Sequence, residues 1–206
     1  MGDRKHFTLI RSFHLADLFT LANAFCGMGA IFSAMAYLEN RHASLLLLAA
    51  AFVPLSFLFD VLDGRIARWR HKQSLMGQEL DSLADVISFG VAPACLAYAA
   101  GMQGGWDSVV LLYFVGCGVS RLARYNVTAD DLTGEDGKVT HFEGTPIPTS
   151  TVLVGLVAVC AYMDRLDAAL PFGSFTVGPW RLHPLVLPWA LSGTLMVSKT
   201  LRIPKL

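Results

Sequence analysis

Six apolar runs separated by short polar stretches constrain this 206-residue chain more than any other feature. They cover approximately residues 15–38, 43–59, 83–101, 106–121, 146–163 and 182–201. A helix needs about 20 mostly apolar residues to cross the hydrocarbon core of a bilayer. The runs therefore predict an all-α membrane protein of six transmembrane helices, folded as one domain over residues 1–206. Composition agrees: 54% of residues are hydrophobic and 16% are charged. An ordinary soluble domain is roughly 45–50% apolar and about 25% charged. Trp106, Trp180 and Trp189 lie in or near the ends of the runs, where an interfacial aromatic belt would hold them.

An even number of spans puts both termini on one side. With that side inside, it holds Arg4, Lys5, Arg11, Arg65, Arg68, Arg70, Lys72, Arg121, Arg124, Lys138, Lys199, Arg202 and Lys205. The other face holds Arg41, Arg165 and Arg181, so 13 of the 16 Lys and Arg are inside and 3 are outside. The positive-inside rule then places both termini in the cytoplasm. Residues 1–14 become a polar, basic cytoplasmic segment, and 127–145 a cytoplasmic loop. The run after residue 14 is too long for a signal-peptide core, and no convincing Ala-x-Ala site closes it. The expected location is the cytoplasmic membrane, with a cavity open to the cytoplasm. Formal net charge is zero, so no nucleic acid or other bulk electrostatic partner is implied. Cys26, Cys95, Cys117 and Cys160 are scattered through apolar runs without a CxxC pair, and read as core residues.

Four aspartates stand at the edges of the second and third runs, in the pattern Asp60-x2-Asp63-Gly64-x2-Ala67-Arg68-x8-Gly77-x3-Asp81-x3-Asp85. A carboxylate near membrane depth is costly and marks a functional site by default. Asp60 and Asp63 are three residues apart, and Asp81 and Asp85 four apart, so each pair shares a helix face. Two facing helix ends would gather all four around one small volume. Carboxylate oxygens suit hard cations such as Mg2+, Mn2+ or Ca2+. Without cations they would repel one another, and a pair of divalent ions could instead clamp a phosphate ester. Gly64 and Ala67 leave room for a flat group at the backbone. Arg68 can grip phosphate oxygens, Ser74 adds a hydroxyl, and Gly77 permits close helix approach. Solvated charges at a membrane edge would account for one aspartate, but not for four at these spacings.

This pattern resembles the signature of the CDP-alcohol phosphotransferase family, with every defining position filled. The resemblance implies transfer of a substituted phosphate from a CDP-linked donor to an alcohol, with release of CMP. It also implies a six-helix membrane fold, usually a homodimer, and two divalent ions per site, Mg2+ or Mn2+. Asp60, Asp63 and Asp81 would hold one ion and Asp60, Asp81 and Asp85 the other. Asp85 would also be the base that deprotonates the acceptor. The CDP-lipid would meet Asp60, Gly64, Ala67, Arg68 and Ser74, with Thr20 and Asn23 from the first helix.

A second stretch reads Ser120-Arg121-Leu122-Ala123-Arg124-Tyr125-Asn126, then Phe142-Glu143-Gly144-Thr145-Pro146-Ile147-Pro148. Two arginines three apart can bind a carboxylate or phosphate, or act as positive-inside anchors. A proline in the first turn of the fifth span needs only a structural role. Together with Leu18-Phe19-Thr20-Leu21-Ala22-Asn23-Ala24-Phe25-Cys26-Gly27, these elements are similar to the membrane phosphatidylserine synthase branch of the family, over about residues 14–150. Thr145 departs from that branch, where leucine is usual, as does Asp17, where asparagine is common. The branch implies CDP-diacylglycerol as donor and L-serine as acceptor, within membrane lipid. Arg121 and Arg124 would hold the serine carboxylate, assisted by Asn126. The same chemistry on inositol phosphate, glycerol phosphate or choline is an alternative. An ion-coupled transporter is another, though it would need carboxylates near the bilayer midplane.

Overall fold

The computed structural model describes residues 15–69, 75–131, 141–198 and 202–204. Helix α1 spans Leu15–Asn40 and α2 spans Ala43–Trp69, joined by a tight turn in which Arg41 adopts φ 57°. Helix α3, Leu75–Asp85, runs into a π-helical turn over Val86–Val91 and then into α4, Ala92–Ala99. Helix α5 spans Gly105–Asp131. A 3₁₀ turn at Ile147–Ser150 leads into α6, Thr151–Tyr162, and another at Pro184–Val186 into α7, Leu187–Val197. Two short antiparallel pairs add to the helices. β1 (His141–Glu143) pairs with β4 (Arg202–Pro204), and β2 (Phe175–Val177) with β3 (Trp180–Leu182). These pairs depart from a purely helical expectation; apart from Leu182 at the start of the last apolar run, they lie outside the runs, where turn residues such as Gly178, at φ 61°, allow a chain reversal.

Among the described residues, four helical stretches are long and apolar enough to cross a membrane: Ala16–Asn40, Ala43–Ile66, Met76–Ala99 and Gly105–Val127. The other two apolar helices, Ile147–Tyr162 and Pro184–Val197, are shorter. At 1.5 Å per residue they reach only about 20–25 Å, against a hydrocarbon core of about 30 Å. The exposed helix faces are themselves apolar. Leu18, Phe25 and Phe32, seven residues apart along α1, are exposed, as are Leu112 on α5 and Val152 on α6. Water would penalise such faces, whereas lipid accepts them.

Small residues let the bundle close. Helices α1 and α2 are packed along their length, with Ala30, Ala34, Ala49 and Val53 buried between elements. A Cβ on Gly27 would come within 2.5 Å of Ser88 Oγ and 2.9 Å of its Cα, so α1 and the π-helical turn are in backbone-close contact. The wide turn has a local cause. Pro93 has no N–H to give Phe89, and its ring would crowd that carbonyl in a regular helix. The Ala92 N–H instead reaches back five residues to the Ile87 carbonyl. The turn begins immediately after Asp85.

The end of the bundle away from the aspartates is tied by polar contacts. Asp107 is fully buried, accepting from Gly104 N at 2.7 Å and His183 N at 2.8 Å, with His183 Nδ1 at 2.6 Å. Asp167 accepts from Tyr37 Oη at 3.1 Å and Arg41 at 2.9 Å. All four cysteines are free, as their scatter predicts.

Candidate active site

Helices α2 and α3 extend further than the apolar runs that mark them. Helix α2 continues past residue 59 through Trp69, and α3 begins at Leu75, ahead of residue 83. All four aspartates therefore sit on helix, not on connecting loop. Asp60 and Asp63 share a face of α2. Asp81 and Asp85 share a face of α3, with Asp85 its last residue.

Asp60, Asp63 and Asp81 each offer a carboxylate oxygen, and these oxygens all lie within 4.8 Å of one another. Asp63 and Asp85 are buried, and Asp60 and Asp81 partly so. Two unit negative charges about 5 Å apart repel by about 3 kcal/mol at an effective dielectric of about 20. Asp81 Oδ1 is buried without a hydrogen-bond partner among the described residues. A buried carboxylate oxygen left bare in a group of acids fits a hard cation, which takes oxygen ligands at short range and removes the repulsion. The donor set is all oxygen, which favours Mg2+ or Mn2+ over the softer metals.

Helix α1 lies behind the acids. Thr20, buried, donates from Oγ1 to Asp63 Oδ2 at 2.9 Å, with Ala16 O a second acceptor at 3.2 Å. Asn23, with no exposed surface, donates from Nδ2 to Asp85 Oδ1 at 3.2 Å. Both side chains were placed by sequence alongside the CDP-lipid; in the structure their hydrogen bonds go to the aspartates. Asn23 is itself held by two hydroxyls. Ser56 Oγ lies within hydrogen-bond reach of two Asn23 acceptors, its main-chain O at 3.0 Å and its amide Oδ1, and Ser88 Oγ donates to Asn23 O at 3.0 Å.

Gly64 is partly exposed, and a Cβ built there would find no atom of the described residues within 4 Å, which leaves open space among them beside α2. Ala67 and Arg68 fall in the last turn of α2, but their side chains lie outside the described residues, as does Ser74. Arg121 on α5 is partly buried, and its Nε has no partner among the described residues. Arg124 is partly buried one turn on. Asn126 faces α3, exchanging hydrogen bonds with Ser82 (Nδ2 to Oγ, 3.1 Å) and reaching the Glu79 carboxylate at 3.5 Å. The Thr145–Ser150 segment packs on the same region. Ile147 Cδ1 would lie 2.9 Å from a Cβ on Gly118, and the Ile147–Ser150 turn touches the π-helical turn.

Sequence reasoning did not single out Ser56, Glu79, Ser82 or Ser88. Position provides a signal for Ser56, because 56, 60 and 63 fall on one helical face. Ser88 lies three residues beyond Asp85, but a widened turn shifts the facing of that stretch in a way that sequence spacing does not predict.

These features define an integral membrane protein with a set of carboxylates gathered where two of its helices face each other. The sequence profile of the family described as CDP-alcohol phosphatidyltransferase matches residues 13–195. The chain belongs to that family, whose members use divalent metals. It is 43% identical to a CDP-diacylglycerol–serine O-phosphatidyltransferase of Saccharomyces cerevisiae over 99% of this chain and 75% of that protein. It is 39% identical to a protein of the same name in Helicobacter pylori, over 72% of this chain and 57% of that one. It is 37% identical to an archaetidylserine synthase of Methanothermobacter thermautotrophicus, over 82% of this chain and 66% of that one.

Proposed function

We propose that this chain is a metal-dependent CDP-diacylglycerol–serine O-phosphatidyltransferase, making phosphatidylserine and CMP. The reaction is supported by relatives of that name, one matched over nearly the whole chain. The carrying observation within the molecule is the convergence of Asp60, Asp63 and Asp81 oxygens within 4.8 Å, beside an Asp85 held by Asn23.

In this reading Asp60, Asp63, Asp81 and Asp85 hold two divalent ions, Mg2+ or Mn2+. Bound ions would neutralise the carboxylates and polarise the donor phosphate. The chain supplies the rest. Asp85 takes the proton of the serine hydroxyl, with its Oδ1 held by the Asn23 amide and its Oδ2 turned to the acceptor. The serine oxygen forms a bond to the β-phosphorus, the bond from that phosphorus to the CMP oxygen breaks, and CMP departs. A hydroxyl ionises far above neutral pH, so alignment and a positioned base must both contribute.

The open space beside Gly64 admits the CDP group along α2. Ala67 keeps that approach free of bulk, Arg68 engages the phosphate oxygens, and Ser74 adds a hydroxyl. Arg121 and Arg124 hold the serine carboxylate; Arg121 Nε is a buried donor with no acceptor among the described residues. Asn126 fixes α5 against α3 beneath that pocket. Thr20 and Asn23 act on the CDP-lipid through the aspartates they hold.

The protein is further proposed to be a homodimer of six-span chains, the two short helices α6 and α7 completing the count. Its termini and site would face the cytoplasm in the cytoplasmic membrane. Lipid tails would then leave sideways into the inner leaflet.

The acceptor is tested by incubating purified protein with CDP-diacylglycerol and Mn2+, and with serine, inositol phosphate, glycerol phosphate or choline separately. Phosphatidylserine is the expected product. Product from another alcohol, with none from serine, would overturn the acceptor assignment.

A further inference from the structure

We infer that Ser56 is a positioning residue for the transfer step, acting through the Asn23 amide on Asp85. This rests on the reading of Asp85 as the acceptor base. Ser56, Asn23 and Ser88 have no exposed surface, and both serines contact Asn23. Asn23 has an oxygen end and an NH2 end, and either could face Asp85. An oxygen facing a carboxylate would repel it; the NH2 end donates to Asp85 Oδ1 at 3.2 Å. What selects the orientation is the partner of the other end.

Ser88 donates to the Asn23 main-chain oxygen at 3.0 Å. With that carbonyl served, the single Ser56 proton is free for the amide oxygen, Asn23 Oδ1, which its hydroxyl contacts. A hydroxyl donating to the amide oxygen pins the NH2 end toward Asp85. Ser56 stands one turn before Asp60 on α2, so one helix both presents an acid and orients the residue that holds another acid. Supporting contacts of this kind fix a reactive group in its productive geometry.

A double-mutant cycle over Ser56→Ala and Asn23→Ala tests it, with turnover measured on whichever acceptor the wild type uses, so that a wrong acceptor assignment leaves the test intact. Ser56→Ala should lower kcat about 10-fold and Asn23→Ala about 100-fold, with KM for the CDP-lipid near wild type. Because Ser56 acts through Asn23, the double variant should resemble Asn23→Ala, a loss of about 100-fold. Additive loss, about 1,000-fold, or a Ser56→Ala variant with wild-type kcat, would overturn the inference. If Ser56→Ala does not fold, Ser56→Cys, close in volume and a weaker donor, carries the same cycle with the same two outcomes.

Discussion

Asn23 Nδ2 donates to Asp85 Oδ1 across 3.2 Å, from a side chain with no exposed surface. One oxygen of Asp85 is thereby fixed from the protein interior. Asp85→Asn preserves shape while removing the proposed base. It should lower turnover by about 10²–10⁴-fold while the protein still folds and binds CDP-lipid. Single-turnover kinetics with a CDP-lipid binding assay separate the two effects, and wild-type-like turnover would sink the assignment of Asp85 as base.

Thr20 does for Asp63 what Asn23 does for Asp85. Thr20→Val keeps the branched shape and removes the donor at 2.9 Å from Asp63 Oδ2. A metal-ligating carboxylate that loses its supporting hydrogen bond typically costs 10–100-fold in affinity or activity. The Mn2+ concentration for half-maximal activity should rise by about 10-fold, with activity recovered at saturating metal.

Gly27 and Gly116 offer a contrast in packing. A Cβ on Gly27 would meet the Ser88 backbone at 2.9 Å, whereas one on Gly116 would meet nothing within 4 Å among the described residues. Gly27→Ala should destabilise by about 1–3 kcal/mol, since neither α1 nor the π-helical turn can give way cheaply. Gly116→Ala should be neutral or stabilising by up to about 1 kcal/mol, as expected in a helix interior. Thermal unfolding in detergent reads both, and only Gly27→Ala should also reduce turnover, by displacing the turn that follows Asp85.

Asp107 tests whether polar burial elsewhere is purely structural. It is fully buried and serves Gly104 N, His183 N and His183 Nδ1 at the end of the bundle away from the acids. Asp107→Ala strips partners from buried donors and should cost about 3–5 kcal/mol of stability. The metal dependence of whatever protein remains folded should match wild type, as read by Mn2+ titration.

Much of this was legible in the sequence. The apolar runs located the helices, because burial in lipid is set by composition over about 20 residues. The aspartates were legible as well, since three- and four-residue spacing on a helix fixes which side chains share a face. Helix ends were harder to read. Polar residues from Asp60 to Arg68 ended the second apolar run, yet α2 continues through them because an acid-bearing face turned inward needs no hydrophobicity. The last two runs, 146–163 and 182–201, hold the shorter helical stretches Ile147–Tyr162 and Pro184–Val197, with Pro146 and Pro184 introducing 3₁₀ turns at their starts. The roles of Thr20 and Asn23 depended on which neighbours α1 meets, and that is set by the close approach at Gly27 and the wide turn after Asp85. Neither is written in the local pattern of either helix.

Metal dependence of phosphatidylserine formation is the most direct test. Purified protein is stripped with excess chelator, supplied with CDP-diacylglycerol and serine, and assayed for phosphatidylserine and CMP before and after adding back Mn2+ or Mg2+. The carboxylate site predicts no product in chelator and recovery of both products in equal amounts on metal return. Full phosphatidylserine synthesis in excess chelator would contradict it.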